Sequence, residues 1–293
     1  MHKKIPSAAY KVAFDKVRSR FFLVGRGNVR VFDVNTNEKI AVLCGIPYLN
    51  HIYVSQKNGI IAASSTDGRF SFYAIDTFEL LGKVKIRGDV NTDAAFCYDE
   101  NENVIYGVLY YYKTLDQYLY QVSPATLNYS TVPLKSVEMK VGEGEKPYTR
   151  YQLHKHENGG AYLIRSCYNL KRPYNKGVYE SCYGRYELEN GEYVLKEKYI
   201  STNEYCLDLK DFIAPEAYRR FCAYLKDDCA MGASYRVRRC EKETYFIYLG
   251  KAVYRERELG EFETVFEDEY TWDYAEFQGR TYACTWEYCM IRW

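Results

Sequence analysis

Apolar and polar positions alternate in short runs that break at polar turns, and the runs recur along the chain. Arg20 to Val34 reads RFFLVGRGNVRVFDV, and Gly59 to Ile75 reads GIIAASSTDGRFSFYAI. Each is an apolar strand, a glycine-bearing tight turn and an alternating strand. Gly27 and Gly68 stand 41 residues apart, and so do Val34 and Ile75. Both units continue through a polar turn (Asn35, Thr36, Asn37; Asp76, Thr77) into a further strand, Lys39 to Leu43 and Leu80 to Ile86. A third unit repeats the order with Asn103 to Tyr112, Gln117 to Val122, a Ser123-Pro124-Ala125-Thr126 turn, and Tyr129 to Leu134.

A polar turn precedes the second strand of every unit: Lys16 to Ser19, Gln56 to Gly59, Asp99 to Asn103, His156 to Gly160, Glu241 to Glu243 and Gln278 to Arg280. Six such turns predict six units of four strands, at a period near that of propeller blades. The fold class expected is therefore all-β, a β-propeller of six blades over 8–45, 46–88, 89–136, 147–200, 233–268 and 269–293, forming one domain over 1–293. Spacing fails once, because the matching strand starts Ala161 and Tyr245 lie 84 residues apart. That gap is filled either by a helical insertion over 201–232 or by a seventh, degenerate blade. Pro215 followed by Tyr218, Phe221, Cys222 and Leu225 has the stripe of an amphipathic helix near 211–228. The last unit has room for only three strands, so the segment before Ala8 is the candidate for the fourth.

Thr66-Asp67-Gly68-Arg69-Phe70-Ser71-Phe72 and Val31-Phe32-Asp33 resemble the turn and third strand of WD repeats. The resemblance covers mainly 8–134. It implies a propeller and no particular partner, since no Gly-His pair occurs and no unit ends its third strand in Trp-Asp.

Composition adds bounds. The 293 residues are 47% hydrophobic and 27% charged, enough for a large core and too apolar for disorder. Lys plus Arg number 40 against 39 Asp plus Glu, so the net charge of +1 does not favour nucleic acid or an acidic membrane as partner. No apolar run has the length of a signal peptide or of a membrane span. Ten cysteines without CxxC spacing are expected to be reduced, and a cytoplasmic location follows. The 33 tyrosines suit half-buried strand positions, where an apolar body carries a polar tip.

Candidate chemistry gathers in loops that a propeller places on one face. Entries to innermost strands carry Pro47, Tyr48 and Asn50; Asn91 and Asp93; Tyr148 and Arg150; and Tyr270, Trp272 and Asp273. The longest loops carry Tyr110, Tyr111, Tyr112 and Lys113, and Tyr168, Asn169, Lys171, Arg172, Pro173, Tyr174 and Lys176. Aromatic planes beside basic groups stack on bases or sugars and pair with phosphate or carboxylate, so these are binding candidates, the loop from Tyr168 to Lys176 foremost. Asn50, Asn91, Asp93 and Asp273 are of the type that lactonase-like propellers use to hold a divalent metal, and define the alternative, an enzyme of lactonase or glycan-processing type. His154 and His156 would project together from a strand but lack further ligands. No GxSxG, glycine-rich phosphate loop or HExxH occurs. The leading expectation is a non-catalytic module that needs no cofactor and offers one loop face to a protein, peptide or small ligand.

Overall fold

A computed structural model describes residues 2–92, 97–114, 116–134, 147–155, 161–169, 181–189, 192–201, 220, 221, 223–225, 235–240 and 243–293. In chain order the strands are β1 (His2–Ile5); β2 (Lys11–Asp15), β3 (Arg20–Gly25), β4 (Asn28–Asp33) and β5 (Lys39–Cys44); β6 (Leu49–Ser55), β7 (Ile60–Ser65), β8 (Arg69–Ala74) and β9 (Leu80–Lys85). There follow β10 (Val90–Thr92), β11 (Cys97–Asp99), β12 (Val104–Tyr111), β13 (Gln117–Ser123) and β14 (Asn128–Leu134), then β15 (Pro147–Lys155), β16 (Ala161–Asn169), β17 (Ser181–Glu189) and β18 (Glu192–Ser201). The chain closes with β19 (Tyr235–Arg239), β20 (Thr244–Tyr248), β21 (Ala252–Glu258) and β22 (Glu261–Glu267), and β23 (Thr271–Phe277), β24 (Arg280–Thr285) and β25 (Cys289–Arg292). The described strands form six antiparallel sheets, five of four strands and one of five. The chain divides into two compact units, Met1–Leu49 with Tyr205–Trp293, and Asn50–Glu204.

The sequence repeat is a repeat of hydrogen bonds. Val34 N donates to Ser19 O in the first sheet as Ile75 N does to Gly59 O in the second. Ile46 N donates to Gly27 O, and Ile86 N to Gly68 O. Gly27 and Gly68 have φ of 72° and 79°, a left-handed backbone that a side chain disfavours, which is why glycine marks the period. The next turn repeats as well: Asn37 N bonds Asp33 O, and Phe78 N bonds Ala74 O.

In the first unit, three sheets pack in succession. Phe21, Leu23, Phe32 and Val34 meet Ala275, Phe277, Tyr282 and Cys284 in one core. Tyr245, Ile247, Val253 and Phe266 meet Tyr274 and Ala283 in the next. The fourth strand of the β23–β25 sheet is supplied by the segment before Ala8: β1 pairs antiparallel with β25, with His2 opposite Arg292 and Ile5 opposite Cys289. The opposite face of the β19–β22 sheet is covered by helical residues 220, 221 and 223–225, whose Phe221 is buried against Phe246 and Phe262. Arg220 makes a two-point ion pair with Glu256, at 2.6 and 3.0 Å. Tyr218 and Cys222 of the predicted stripe lie outside the described residues.

In the second unit, the β6–β9 and β10–β14 sheets share a core of Phe70, Phe72, Tyr98, Leu109 and Tyr120 among others. Tyrosine goes deeper than its expected half-buried role, since Tyr98, Tyr120, Tyr245 and Tyr282 are among the largest fully buried side chains. Partners for the hydroxyl make this affordable at two of them: Tyr98 receives Asn58 Nδ2 at 2.9 Å, and Tyr245 donates to Glu243 at 2.8 Å. Cys240, Cys284 and Cys289 are free thiols, Cys284 and Cys289 buried.

Candidate functional site

In the first unit, the β3–β4 and β24–β25 turns and the entries to β2 and β23 meet at one end of the sheets. Their backbones interlock: Ala9 N donates to Thr285 O, Tyr10 N to Val24 O, and Trp286 N to Tyr270 O. The Tyr10 hydroxyl lies between the carbonyl oxygens of Gly25, at 2.9 Å, and Leu49. Burial pushes that hydroxyl up to about 12, against the pull of Arg26.

Two polar turns set the aromatic side chains. Asp268 accepts from Tyr270 N at 2.8 Å and, through its other oxygen, from the Tyr288 hydroxyl. Thr285, fully buried, accepts from Glu287 N and Tyr288 N at 3.2 and 3.0 Å. Such side-chain-to-backbone bonds hold a turn in one conformation. The result is a ledge. The Trp272 and Trp286 rings meet edge to face at 5.1 Å, and the Arg26 guanidinium stacks 4.4 Å from the Trp286 ring centre. Tyr270 is 42% exposed at the same turns, and Tyr48 is 70% exposed just before β6. Glu269 raises the Tyr270 hydroxyl by its charge and by a hydrogen bond.

Behind the ledge, Asp273 is buried and committed. One carboxylate oxygen accepts from Val12 N at 2.9 Å and from Arg238 Nη1 at 2.7 Å, while Arg238 Nη2 donates to Val12 O at 2.9 Å. This clasp joins β19, β23 and β2, the first strands of three sheets. Among the described residues, no three His, Cys, Asp or Glu side chains gather as ligands for a metal ion.

The second unit carries a tyrosine cluster. Tyr110 and Tyr112 meet edge to face at 5.4 Å, as do Tyr111 and Tyr118 at 5.3 Å. Asn91 Nδ2 donates to the Tyr112 hydroxyl at 2.7 Å, so this candidate amide is turned to a ring rather than held open. Tyr112 is half-exposed and Lys113 exposed. Asn50 is half-buried at the start of β6.

Backbone register sets Tyr148 directly opposite Tyr168, and Arg150 opposite Ser166, across β15 and β16. Their side chains, and Asp93, Lys171, Arg172 and Tyr174 altogether, lie outside the described residues. His154 is opposite Tyr162 in the same pair, and His156 is again outside. Sequence reasoning found Trp272 and missed Trp286 and Arg26, which sit in tight turns of the same class as the longer loops singled out. The available signal was Arg26 flanked by two glycines in a turn aligned with Gly68.

Among solved structures, the chain resembles the β-propeller domain of Cps50 (Swd1) from Myceliophteria thermophila. The two superpose with a TM-score of 0.54 at 11% identity, over 100% of this chain and 99% of that one. The chain has a β-propeller fold like that of WD-repeat-type propellers. No family model and no curated protein matches the sequence.

Proposed function

We propose that the chain is a binding module, a six-bladed propeller carrying a helical insertion between its fourth and fifth blades, which presents the loop face around Trp272 and Trp286 to a partner. Six described sheets and the β1–β25 pairing support the blade count. The ledge carries the functional reading: two tryptophans in edge-to-face contact, a stacked guanidinium and the exposed Tyr270 sit at turns held by Asp268 and the buried Thr285. Preorganised aromatic surface of this kind binds with little loss of side-chain entropy.

The partner is a protein, a peptide or a small ligand, and the free thiols fit a cytoplasmic setting.

A peptide display library panned on the purified chain tests this reading. Selected clones should lose binding when Trp286 or Trp272 becomes alanine and keep it with Gln278→Ala, in the turn at the other end of the β23–β24 hairpin. Clones indifferent to both tryptophans would place recognition elsewhere and overturn it.

A further inference from the structure

The loop-face reading leaves open what chemistry the ledge selects, and the surrounding charges decide it. Three carboxylates, Asp268, Glu269 and Glu287, act on the Tyr270 hydroxyl, and all raise it. Glu269 and Glu287 are exposed. The cations nearby belong to the chain itself and are laid on rings: Arg26 over Trp286 at 4.4 Å, Lys4 over Tyr288 at 3.5 Å, and Lys251 over Tyr248 at 4.2 Å. Electron-rich ring faces beside exposed carboxylates attract cations twice over, by the ring quadrupole and by charge.

We propose that the ledge recognises an arginine- or lysine-bearing peptide segment, and that Arg26 holds in cis the position that the partner's cationic side chain takes. This rests on the loop-face reading above. Arg26 is exposed and projects from a tight turn between Gly25 and Gly27, so it can leave the ring without disturbing the sheet. Trp272, set edge-on to Trp286, walls the site on one side. Glu269 and Glu287 are exposed in the turns that carry Tyr270 and Trp286, and both act on the Tyr270 hydroxyl. An incoming guanidinium therefore exchanges one stacked cation for another and gains two carboxylates.

The sign of the Arg26 effect separates this from its opposite. If the ledge took anions, Arg26 would be their anchor, and removing it would abolish binding. If it takes cations, Arg26 is a competitor, and removing it should tighten binding.

The test uses the full chain with Trp293→Phe, which leaves Trp272 and Trp286 as the only tryptophans of the three. Tryptophan fluorescence is titrated with an end-blocked Gly-Ser peptide bearing two arginines, and with its glutamine and glutamate analogues. The arginine peptide should give a saturable change that the analogues do not. Arg26→Ala should tighten it by roughly threefold or more, and the Glu269→Gln, Glu287→Gln double variant should weaken it by roughly three- to tenfold, the scale of exposed charge pairs. Both changes are at exposed positions, and thermal midpoints confirm an intact fold. Weaker binding by Arg26→Ala, preference for the glutamate peptide, or no saturable response to the arginine peptide overturns the proposal. If that happens while library clones still depend on Trp286, the loop-face reading stands and only the cation preference falls. If no clone depends on Trp286 either, both fall.

Discussion

At the scale of single residues, the strongest contrast is between Asp273 and the aromatic side chains in front of it. A carboxylate at the mouth of a propeller is a natural metal ligand in sequence, yet here the buried carboxylate is neutralised by the partly exposed Arg238 and a backbone N–H. Removing one partner of such a pair leaves the other charge buried, which costs about 3 kcal/mol or more. Asp273→Ala should therefore lower stability by about that amount. Asp273→Asn, which keeps the shape but loses the charge, should recover part of it. Urea unfolding of both variants, with and without added divalent cations, is the measurement. Stabilisation of the wild type by calcium that Asp273→Asn abolishes would restore the metal reading. Asp273 and Trp272 are neighbours in β23 at a break in its pairing with β24, where Thr271 lies opposite Thr285 and Asp273 opposite Cys284 while Trp272 is left over, and such a bulge re-aims a side chain. Their order in the chain suggested that both lie at the candidate face. Their opposite fates were not legible, because Val12 and Arg238, which bind the carboxylate, lie far away in sequence.

At the scale of elements, the repeat was legible wherever backbone geometry restricts residue type. Gly27 and Gly68 announce a left-handed turn, and the polar turns after Val34 and Ile75 announce the next one. Trp286 and Arg26 were harder, since neither turn is unusual alone and their meeting depends on how two sheets pack. The helical residues 220, 221 and 223–225 fall between. Their apolar period is visible in sequence, but the sheet face that receives Phe221 is not. Phe221 stacks on Phe246 at 4.7 Å and touches Phe262 and Tyr254 at 5.1 and 5.2 Å. Phe221→Ala should cost about 3 kcal/mol by loss of contacts and the cavity left behind. The ion pair beside it adds a pH dependence. Hydrogen bonds from Arg220 hold the Glu256 carboxyl below its ordinary range. A carboxyl depressed by folding stabilises the native state above its unfolded value, about 4.3, and that contribution disappears as pH falls through the lower folded value. The gap in thermal midpoint between wild type and Glu256→Gln should be full at neutral pH and close below about pH 4. A gap that persists unchanged into acid would show that the pair does not hold the helical segment.

At the scale of the whole molecule, strands far apart in sequence complete one sheet. β23, β24 and β25 supply three of its strands, and β1 supplies the fourth by hydrogen-bonding to β25 over four registered pairs, from His2–Arg292 to Ile5–Cys289. Its burial is uneven. His2, Lys3 and Lys4 are exposed while Ile5 is buried in the core with Cys289 and Ile291. An exposed basic edge is a recognised guard against pairing with another chain. Lys4 also caps the Tyr288 ring at 3.5 Å, so the strand reaches the turn that carries Trp286. Deleting residues 2–5 should have two effects of different origin. Loss of the Ile5 side chain from the core removes about 1.5–3 kcal/mol of burial, seen as a lower thermal midpoint. Exposure of the β25 edge, CMIR, uncovers an apolar strand with unpaired backbone groups, seen as self-association in light scattering. Ile5→Ser should reproduce the first effect without the second, because it keeps the backbone pairing. If deletion and Ile5→Ser lower the midpoint equally and both stay monomeric, β1 acts through one side chain, and the strand pairing itself does not protect the edge.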